Sequence, residues 1–329
     1  MNSVIRVTST VAAGAALAGL ALILVRTGTY GLTLFLGLPI VLGAFAAVIT
    51  KPDSAAKAAV VGMGANLLAS LAFLAGGLEG IGCIIMALPL ASPLGALGGW
   101  LVYAARNRRA LERGAAMLMV LPVGLGTFAF DRTAKPDVFV VRSSVEIAAP
   151  PERVWKNVIS FAELPPPGAD EWYFRAGVAY PMRAHIVGSG PGAVRYCEFS
   201  TGPFVEPIQV WDEPHLLRFS VTQNPAPLNE WSPYSKIAPR HLHGYFISKQ
   251  GQFLLTPLPN GHTLLEGTTW YQHGLWPEHY WTLWSQAIIH RIHMRVLNHI
   301  KNLSESEQSA ASARTDSSAS LRLDSYQHR

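Results

Sequence analysis

The chain of 329 residues is half hydrophobic, yet only 14% of its residues are charged, against about 25% in an average soluble protein. Residues 1–136 carry a net charge of +6, residues 137–303 carry none, and residues 304–329 carry −1. Because the positive excess lies among apolar runs, the high isoelectric point indicates charged loops beside a membrane and excludes a basic face for nucleic acid.

The first 130 residues contain about five apolar runs of the length needed to cross a bilayer, close to 20 residues in a helix. The runs are Val7–Val25, Tyr30–Thr50, Ala58–Gly76, Leu78–Tyr103 and Gly114–Phe130. A cleaved signal peptide is the alternative for the first run. A re-entrant segment is the alternative for the fourth run, which contains Pro89 and Pro93. We therefore predict a multi-pass α-helical membrane domain over residues 1–130.

The basic residues of this half predict its orientation, because Lys and Arg accumulate in the cytoplasmic loops of membrane proteins. With five spans, most of them fall on the side of the N-terminus, which places the later residues on the opposite side of the membrane. A change of one span reverses this orientation. Glu79 lies in a glycine-rich stretch at the start of the fourth run, where a short loop between the third and fourth spans, with Glu79 at the interface, is favoured over an intramembrane carboxylate.

After a short linker at residues 131–137, the apolar pattern changes to that of strands separated by turns. A helix follows the first strand, beginning at Pro150-Pro151-Glu152. The predicted strands are Val138–Ala148, Gly177–Val187, Ala193–Ser200, Val205–Trp211, Leu216–Thr222, Tyr245–Thr256 and Thr263–Tyr271.

One long helix is predicted from Pro277 to about Leu303. Its apolar face consists of Trp281, Trp284, Ile288, Ile292, Val296 and Ile300, at helical spacing. The order of elements predicts an α+β domain over residues 138–303, in which this helix closes a curved antiparallel sheet. Residues 304–329 are rich in Ser, Ala and charge, and we predict that they form a disordered tail.

Three sequence segments of this domain resemble the START/Bet v 1-like superfamily, in its polyketide cyclase/dehydrase branch. They are Ser144–Trp155, the hairpin sequence GAVRYCEFSTG at Gly192–Gly202, and Trp211-Asp212-Glu213-Pro214 before a strand. The resemblance covers about residues 138–303 and does not include the membrane half. It implies a helix-grip fold with a deep hydrophobic pocket. Members of this superfamily bind lipids, sterols, polyketides and hormones, and only some of them are enzymes.

Acidic and histidine side chains of the domain are the candidates for acid–base chemistry, because an apolar pocket moves their pKa toward neutrality. We predict Glu198, His241 and Glu266 as the candidate catalytic residues, with outward strand positions as the alternative for both carboxylates. Glu230, Tyr234 and His241 belong to a long proline-rich loop, Asn224–Phe246, of the kind that often forms a lid.

Aromatic residues indicate a ligand site, since eight of the nine tryptophans lie in this domain. The predicted ligand-binding residues are Glu230, Tyr234, Trp270, Tyr271, Trp281, Trp284, Ile288, His290 and His293. An ordinary core is the alternative for the tryptophans. His290 and His293 share a helix face, but the sequence lacks a compact metal signature, so we predict hydrogen-bonded histidines, no metal site and no cofactor.

Three functions remain open from the sequence. The leading one is a membrane-tethered module that binds or transfers a hydrophobic small molecule such as a lipid, isoprenoid or polyketide. The alternative is an enzyme of the cyclase or dehydratase type that uses the pocket residues as general acid and base. The third is a transporter or sensor regulated by the soluble domain. The expected partners are a hydrophobic ligand and the lipid bilayer, and the sequence does not determine the oligomeric state.

Overall fold

The computed structural model describes residues 3–107, 115–161, 163–234, 237 and 239–327, and within these ranges the side chains of residues 3–10, 115–121, 123 and 307–327 are not described. The chain divides into two compact units. The first comprises residues 1–137, 228–246 and 273–284, and the second comprises residues 138–227, 247–272 and 285–329. Arg108, Arg109 and Arg113, on which the predicted orientation partly rests, lie outside the described residues.

The first unit is built on helices that coincide with the predicted apolar runs. They are α1 (Ser3–Thr27), a π-helical turn (Thr33–Gly37) that continues into α2 (Leu38–Thr50), α3 (Ala55–Ala75), α4 (Ile81–Asn107) and α5 (Ala115–Thr133). Among the described residues, three stretches are long and apolar enough to cross a membrane, Thr33–Thr50, Ala55–Ala75 and Ile81–Asn107. Three of the five predicted runs therefore satisfy the requirement for a span by length and composition.

Small residues bring α2, α3 and α4 close together. A β-carbon at Gly95 of α4 would collide with the carbonyl oxygen of Gly62 in α3, and one at Gly98 would collide with that of Ile40 in α2. The Asn66 amide, which is buried, donates a 3.1 Å hydrogen bond to the Gly62 carbonyl. Such contacts between small residues replace the hydrophobic effect as the source of helix association in lipid.

The second unit contains a seven-stranded antiparallel sheet in the order β1-β7-β6-β5-β4-β3-β2. Its strands are β1 (Val138–Ile147), β2 (Pro181–Val187), β3 (Val194–Phe199), β4 (Gly202–Asp212), β5 (Leu216–Ser220), β6 (Phe246–Pro257) and β7 (Thr263–His273). Between β1 and β2 lie α6 (Pro151–Ile159) and α7 (Trp172–Arg175). The last strand pairs with the first, with Ser143 opposite Gly267 and Val138 opposite Gln272.

The final helix, α8 (Glu278–Gln327), packs on one face of this sheet. Val296, Leu297 and Ile300 are buried in the same core as Leu265 of β7. At Gly267, also in β7, a β-carbon would meet the Leu297 side chain at 3.6 Å. We call the face of the sheet that carries Gly267 the helix-facing side. This arrangement confirms the predicted α+β fold with the helix-grip plan.

The buried stripe of α8 differs in part from the predicted one. Trp281, Val296 and Ile300 are buried as expected, while Ser285 and Ile289 are more buried than the predicted Trp284 and Ile288. The helix extends to Gln327, and its side chains are described as far as Ser306. The predicted disorder of residues 304–329 stays a prediction.

Candidate functional site

The interior of the second unit, between the helix-facing side of the sheet and α8, is mainly apolar. Side chains from the strands and from α8 form one buried cluster there, to which α6 contributes Val154, Trp155 and Val158. Trp155 is fully buried and meets Trp211 edge to face at 5.8 Å between ring centroids. Both tryptophans thus belong to the core.

An ion pair lies inside this apolar cluster. Arg195 of β3 stands opposite Glu206 of β4 in the strand register, and the two side chains form a salt bridge with only 2% and 6% of each residue exposed. The Arg195 guanidinium also lies over the rings of Phe161, Phe219 and Phe253, at 5.9, 5.2 and 5.5 Å from their centroids. Its Nε is buried and has no hydrogen-bond partner among the residues that the structure describes.

Burial acts against the ionised state of this pair. Desolvation raises the pKa of Glu206, although the neighbouring Arg195 guanidinium opposes that rise. Removing two charges from water costs several kcal/mol per ion, and the attraction between them recovers this only with good geometry. An ion pair in this position therefore costs free energy of folding that well-packed apolar side chains would not cost.

A second polar group lies under α8, where it faces β1 and β7. The Ser143 hydroxyl is 2.8 Å from His290 Nδ1 and 3.2 Å from His293 Nδ1, and the Thr269 hydroxyl is 2.8 Å from His293 Nε2. Burial lowers the pKa of His293 to about 4, with a smaller contribution from His290. His293 is therefore neutral near pH 7, and each of its ring nitrogens has a hydroxyl partner. The predicted pairing of these two histidines on one helix face is present.

Tyr271 adds a third polar contact on the same side. The residue is fully buried in β7, and its hydroxyl lies 2.8 Å from that of Ser285 in α8. Burial raises the pKa of Tyr271. Of the predicted ligand-binding residues, His290 and His293 contact Ser143 of β1, and Tyr271 of β7 contacts Ser285 of α8, so all three lie between α8 and the sheet. His290 is exposed, and Ile288 is half-buried on the same helix.

The predicted catalytic carboxylates lie on the opposite face of the sheet. Glu198 alternates with the buried Cys197 and Phe199 and accepts two hydrogen bonds from Arg183, at 2.8 and 3.1 Å. Glu266 adjoins Gly267 in β7 and accepts a 3.1 Å hydrogen bond from Thr268. Strand alternation puts Trp270 on the face of Glu266, away from α8. The structure does not bring these three residues to the helix-facing side.

The remaining predicted residues belong to the first unit, in which the loop segment 228–246 fastens onto helix ends. Glu230 accepts hydrogen bonds from the Gly82 and Cys83 amides at the start of α4, at 3.1 and 3.2 Å. The Tyr234 hydroxyl donates to the carbonyl of Ala75, the last residue of α3. Glu230 thus acts as a carboxylate cap, which the partial positive charge of a helix N-terminus favours.

Trp281 and Trp284 also belong to the first unit. Trp281 is buried and packs against Phe35 at 4.8 Å between ring centroids. Trp284 is half-buried. The Tyr280 hydroxyl donates to the Met86 carbonyl of α4, and Trp276 meets Phe130 edge to face at 4.8 Å. The start of α8 therefore contacts the apolar helices of its own unit.

His241 joins a buried polar cluster in the first unit with Tyr30, Glu79 and Cys83. It lies in a short 3₁₀ turn (Arg240–Leu242), and its Nε2 is 2.7 Å from Cys83 Sγ. Its Nδ1 is 3.5 Å from Glu79 Oε2, while the other oxygen of Glu79 accepts a 2.5 Å hydrogen bond from the Tyr30 hydroxyl. Glu79 and His241 are 7% and 8% exposed. Glu79 occupies the predicted loop between α3 and α4, but it is buried there.

Desolvation dominates the charge states of this cluster. It raises the pKa of Glu79 to about 8 and lowers that of His241 to about 4, and it raises the pKa of Tyr30 as well. Among the described residues, neither Glu79 Oε2 nor His241 Nδ1, both of which are buried, has a hydrogen-bond partner. The ligand atoms of Glu79, Cys83 and His241 all lie within 4.8 Å of one another.

No family model and no curated protein matches this chain. Several solved structures are similar to about half of it. They include a norcoclaurine synthase point mutant from Thalictrum flavum, with 12% identity over 54% of this chain and 99% of that one and a TM-score of 0.33. The Zhui aromatase/cyclase from Streptomyces sp. R1128 is 15% identical over 53% of this chain and 98% of its own, with a TM-score of 0.34. A protein from Nitrosospira multiformis is 18% identical over 52% and 99%, with a TM-score of 0.32.

Two features of the site escaped sequence reasoning. The first is the Arg195–Glu206 pair. Charged residues alternate with apolar ones in β3 and β4, and this pattern indicates the pair only when the strand register is known. The cluster of Glu79, Cys83 and His241 gave no such signal, because Cys83 and His241 are 158 residues apart and belong to different predicted domains.

Proposed function

We propose that the second unit binds a hydrophobic small molecule that carries a polar group, between the helix-facing side of the sheet and α8. The observation that carries this proposal is the Arg195–Glu206 ion pair, desolvated within an otherwise apolar and aromatic interior. A lipid, isoprenoid or polyketide-like molecule has the matching chemistry, an apolar body with one or a few polar groups.

The energetics of the ion pair support a role other than stability. Replacing a buried ion pair with well-packed apolar residues is often neutral or stabilising, by about 1–4 kcal/mol. The buried Nε of Arg195 has no hydrogen-bond partner within the described ranges, and three phenylalanine rings surround the guanidinium. A cation inside an aromatic frame suits the polar or anionic end of an apolar ligand, because its donors are already desolvated.

The group formed by Ser143, Thr269, His290 and His293 supplies a second place for polar recognition. Its hydroxyl and imidazole groups both donate and accept hydrogen bonds. We assign it the role of orienting the ligand. An acid–base activity of the cyclase or dehydratase kind stays a prediction, and its candidate carboxylates Glu198 and Glu266 lie on the other face of the sheet.

The first unit is proposed to anchor the protein in a bilayer. Three stretches of the described chain support this proposal, because they are long and apolar enough to cross a membrane. Small residues bring their helices into close contact. A binding unit with a membrane anchor in the same chain stays close to the bilayer, in which apolar ligands dissolve. Binding or transfer of such a ligand at the membrane is the function that these features favour. The five-span topology, the side of the membrane on which the second unit lies and a transporter or sensor role stay predictions.

The proposal is tested by titrating the full-length protein, in detergent or nanodiscs, with a fluorescent fatty-acid analogue. We expect Arg195→Met to weaken binding at least tenfold, or about 1.4 kcal/mol. The matched control is Arg183→Met, which breaks the exposed ion pair with Glu198 and should leave the affinity unchanged.

Because Arg195→Met leaves Glu206 unpaired in the core, the double variant Arg195→Met/Glu206→Leu is measured beside it. The double variant restores an apolar core and should remain folded. Binding by this folded double variant that equals the wild type, and equals Arg183→Met, would refute the assigned site.

A further inference from the structure

We propose that Glu79, Cys83 and His241 form a binding site for a divalent transition metal of the zinc class in the first unit. The inference is independent of the ligand proposed for the second unit. It rests on three chemically suitable side chains, from the α3–α4 loop, the first turn of α4 and the 3₁₀ turn at 240–242, whose donor atoms converge within 4.8 Å.

The donor set selects the metal. Thiolate sulfur, imidazole nitrogen and carboxylate oxygen are the three ligand types that bind Zn²⁺ in proteins, whereas Mg²⁺ and Ca²⁺ prefer oxygen donors alone. Three protein ligands leave one position of a tetrahedral ion for water or another small ligand.

The unsatisfied atoms of the cluster point to the same conclusion. Glu79 Oε2 and His241 Nδ1 are buried, lie 3.5 Å apart, and have no hydrogen-bond partner in the part of the chain that the structure describes. Buried polar atoms are rarely left in this state, and each case needs an explanation such as an ion or a catalytic role. A cation beside Glu79 Oε2 would supply the partner that the carboxylate lacks.

The charge balance also favours a cation. Apart from the His241 imidazole, the cluster contains a carboxyl, a thiol and a phenol, from Glu79, Cys83 and Tyr30, and the Glu230 carboxyl group lies beside it at the Cys83 amide. Among the described residues, the only ion-pair partner of Glu79 is His241. A divalent ion and its three ligands, one thiolate, one carboxylate and a neutral imidazole, together carry no net charge, which suits a buried position. Its binding releases the thiol proton, and the proton of Glu79 where that carboxyl is protonated, to solvent.

Neighbouring side chains hold the ligands in place. The Tyr30 hydroxyl donates to Glu79 Oε1 and leaves Oε2 free to face His241. The Tyr30 ring also lies 4.6 Å from the His241 ring, measured between centroids. Glu230 fixes the Cys83 backbone through its hydrogen bond to the Cys83 amide. Tyr30 and Glu230 thus act as positioning residues that orient the ligands, as outer-shell groups do in known metal sites.

The test uses the full-length protein without a polyhistidine tag, purified in detergent, loaded with Zn²⁺ and freed of excess metal by gel filtration. We expect about one equivalent of zinc per chain by elemental analysis. Replacement by Co²⁺ should produce a thiolate-to-cobalt charge-transfer absorption. Wild-type protein that holds no stoichiometric metal, or whose cobalt form lacks the thiolate band, would overturn the proposal.

Matched variants assign the ligands. Cys83→Ser and His241→Gln should each weaken zinc binding more than about 100-fold, since even outer-shell changes cost about 10–100-fold. The controls are Cys197→Ala, which removes the other cysteine, and His243→Gln, which removes an exposed histidine two positions away; both should retain the metal.

Tyr30→Phe keeps all three ligands and should weaken binding about 10–100-fold, which provides a readout if a ligand variant fails to fold. Equal zinc affinity in folded His241→Gln, Tyr30→Phe and the controls would show that the metal is held elsewhere, and would contradict the site.

Discussion

At the scale of single residues, desolvation is the dominant influence on the polar groups of this protein. It lowers the pKa of His241, His273 and His293 to about 4 in each case. The same effect raises the pKa of the buried carboxyls Glu79 and Glu206. An imidazole that is neutral in the folded state can act as a hydrogen-bonding group or as a metal ligand rather than as a cation.

These histidines predict an acid-sensitive fold. The folded-state pKa of His293 is about 4, below the ordinary value of 6.5, so between these values the unfolded chain binds a proton that the folded chain does not. The stabilisation from neutral His293 is complete above about pH 6.5 and is lost as the pH falls toward 4. Each such group contributes at most about 1.4 kcal/mol per pH unit.

We therefore expect His293→Gln to reduce the loss of thermal stability between pH 7 and pH 5, because glutamine keeps hydrogen bonds to Ser143 and Thr269 without titrating. The measurement is the unfolding midpoint of the full chain at both pH values, with the exposed His185→Gln as control. An identical pH dependence in the wild type and His293→Gln would show that His293 does not resist protonation in the fold.

At the scale of elements, helix contacts in the first unit depend on glycines at fixed positions. Gly95 and Gly98 of α4 face backbone atoms of α3 and α2, whereas Gly64 of α3 faces open space. The hydrophobicity of the runs was sufficient to place these helices, since bilayer-length apolar stretches are easily recognised. Which glycines form the contacts was not readable, because it depends on how the helices are rotated against each other.

Gly95→Ala should destabilise the first unit by about 1–3 kcal/mol, since the added methyl group would collide with the Gly62 backbone and the Asn66 amide. Gly64→Ala is the matched control and should be neutral or stabilising by up to about 1 kcal/mol, because alanine is the better helix former. Both are measured by denaturant unfolding in one detergent. Equal stability of the two variants would mean that α3 and α4 do not approach each other at Gly95.

The sheet was predictable for a different reason. The predicted strands lie within a few residues of β1–β7, since turns at glycine and proline separate short runs of β-forming residues. Which face of each strand meets α8 was less readable. We selected Glu198 and Glu266 for their chemistry. Because neighbouring residues of a strand point to opposite faces, each carboxylate lies one residue away from a helix-facing position.

At the scale of the whole molecule, two stretches that the sequence assigned to the soluble domain cluster with the apolar helices instead. They are residues 228–246 and 273–284. Their proline-rich and aromatic composition indicated a lid or a pocket, and composition alone does not show which surface a loop packs on. His241, Glu230, Tyr234, Trp281 and Trp284 accordingly belong to the first unit. Long-range contacts of this kind require the tertiary structure.

We propose that the interior of the second unit binds a hydrophobic molecule with a polar group. Native mass spectrometry of the full-length protein, released from cell membranes in mild detergent, tests it most directly. We expect an added mass of a small amphipathic molecule on the wild type and on Arg183→Met. That mass should be absent or strongly depleted on the folded double variant Arg195→Met/Glu206→Leu. A wild-type protein with only its bare mass, or a ligand retained equally by all three proteins, would contradict binding at Arg195 and Glu206.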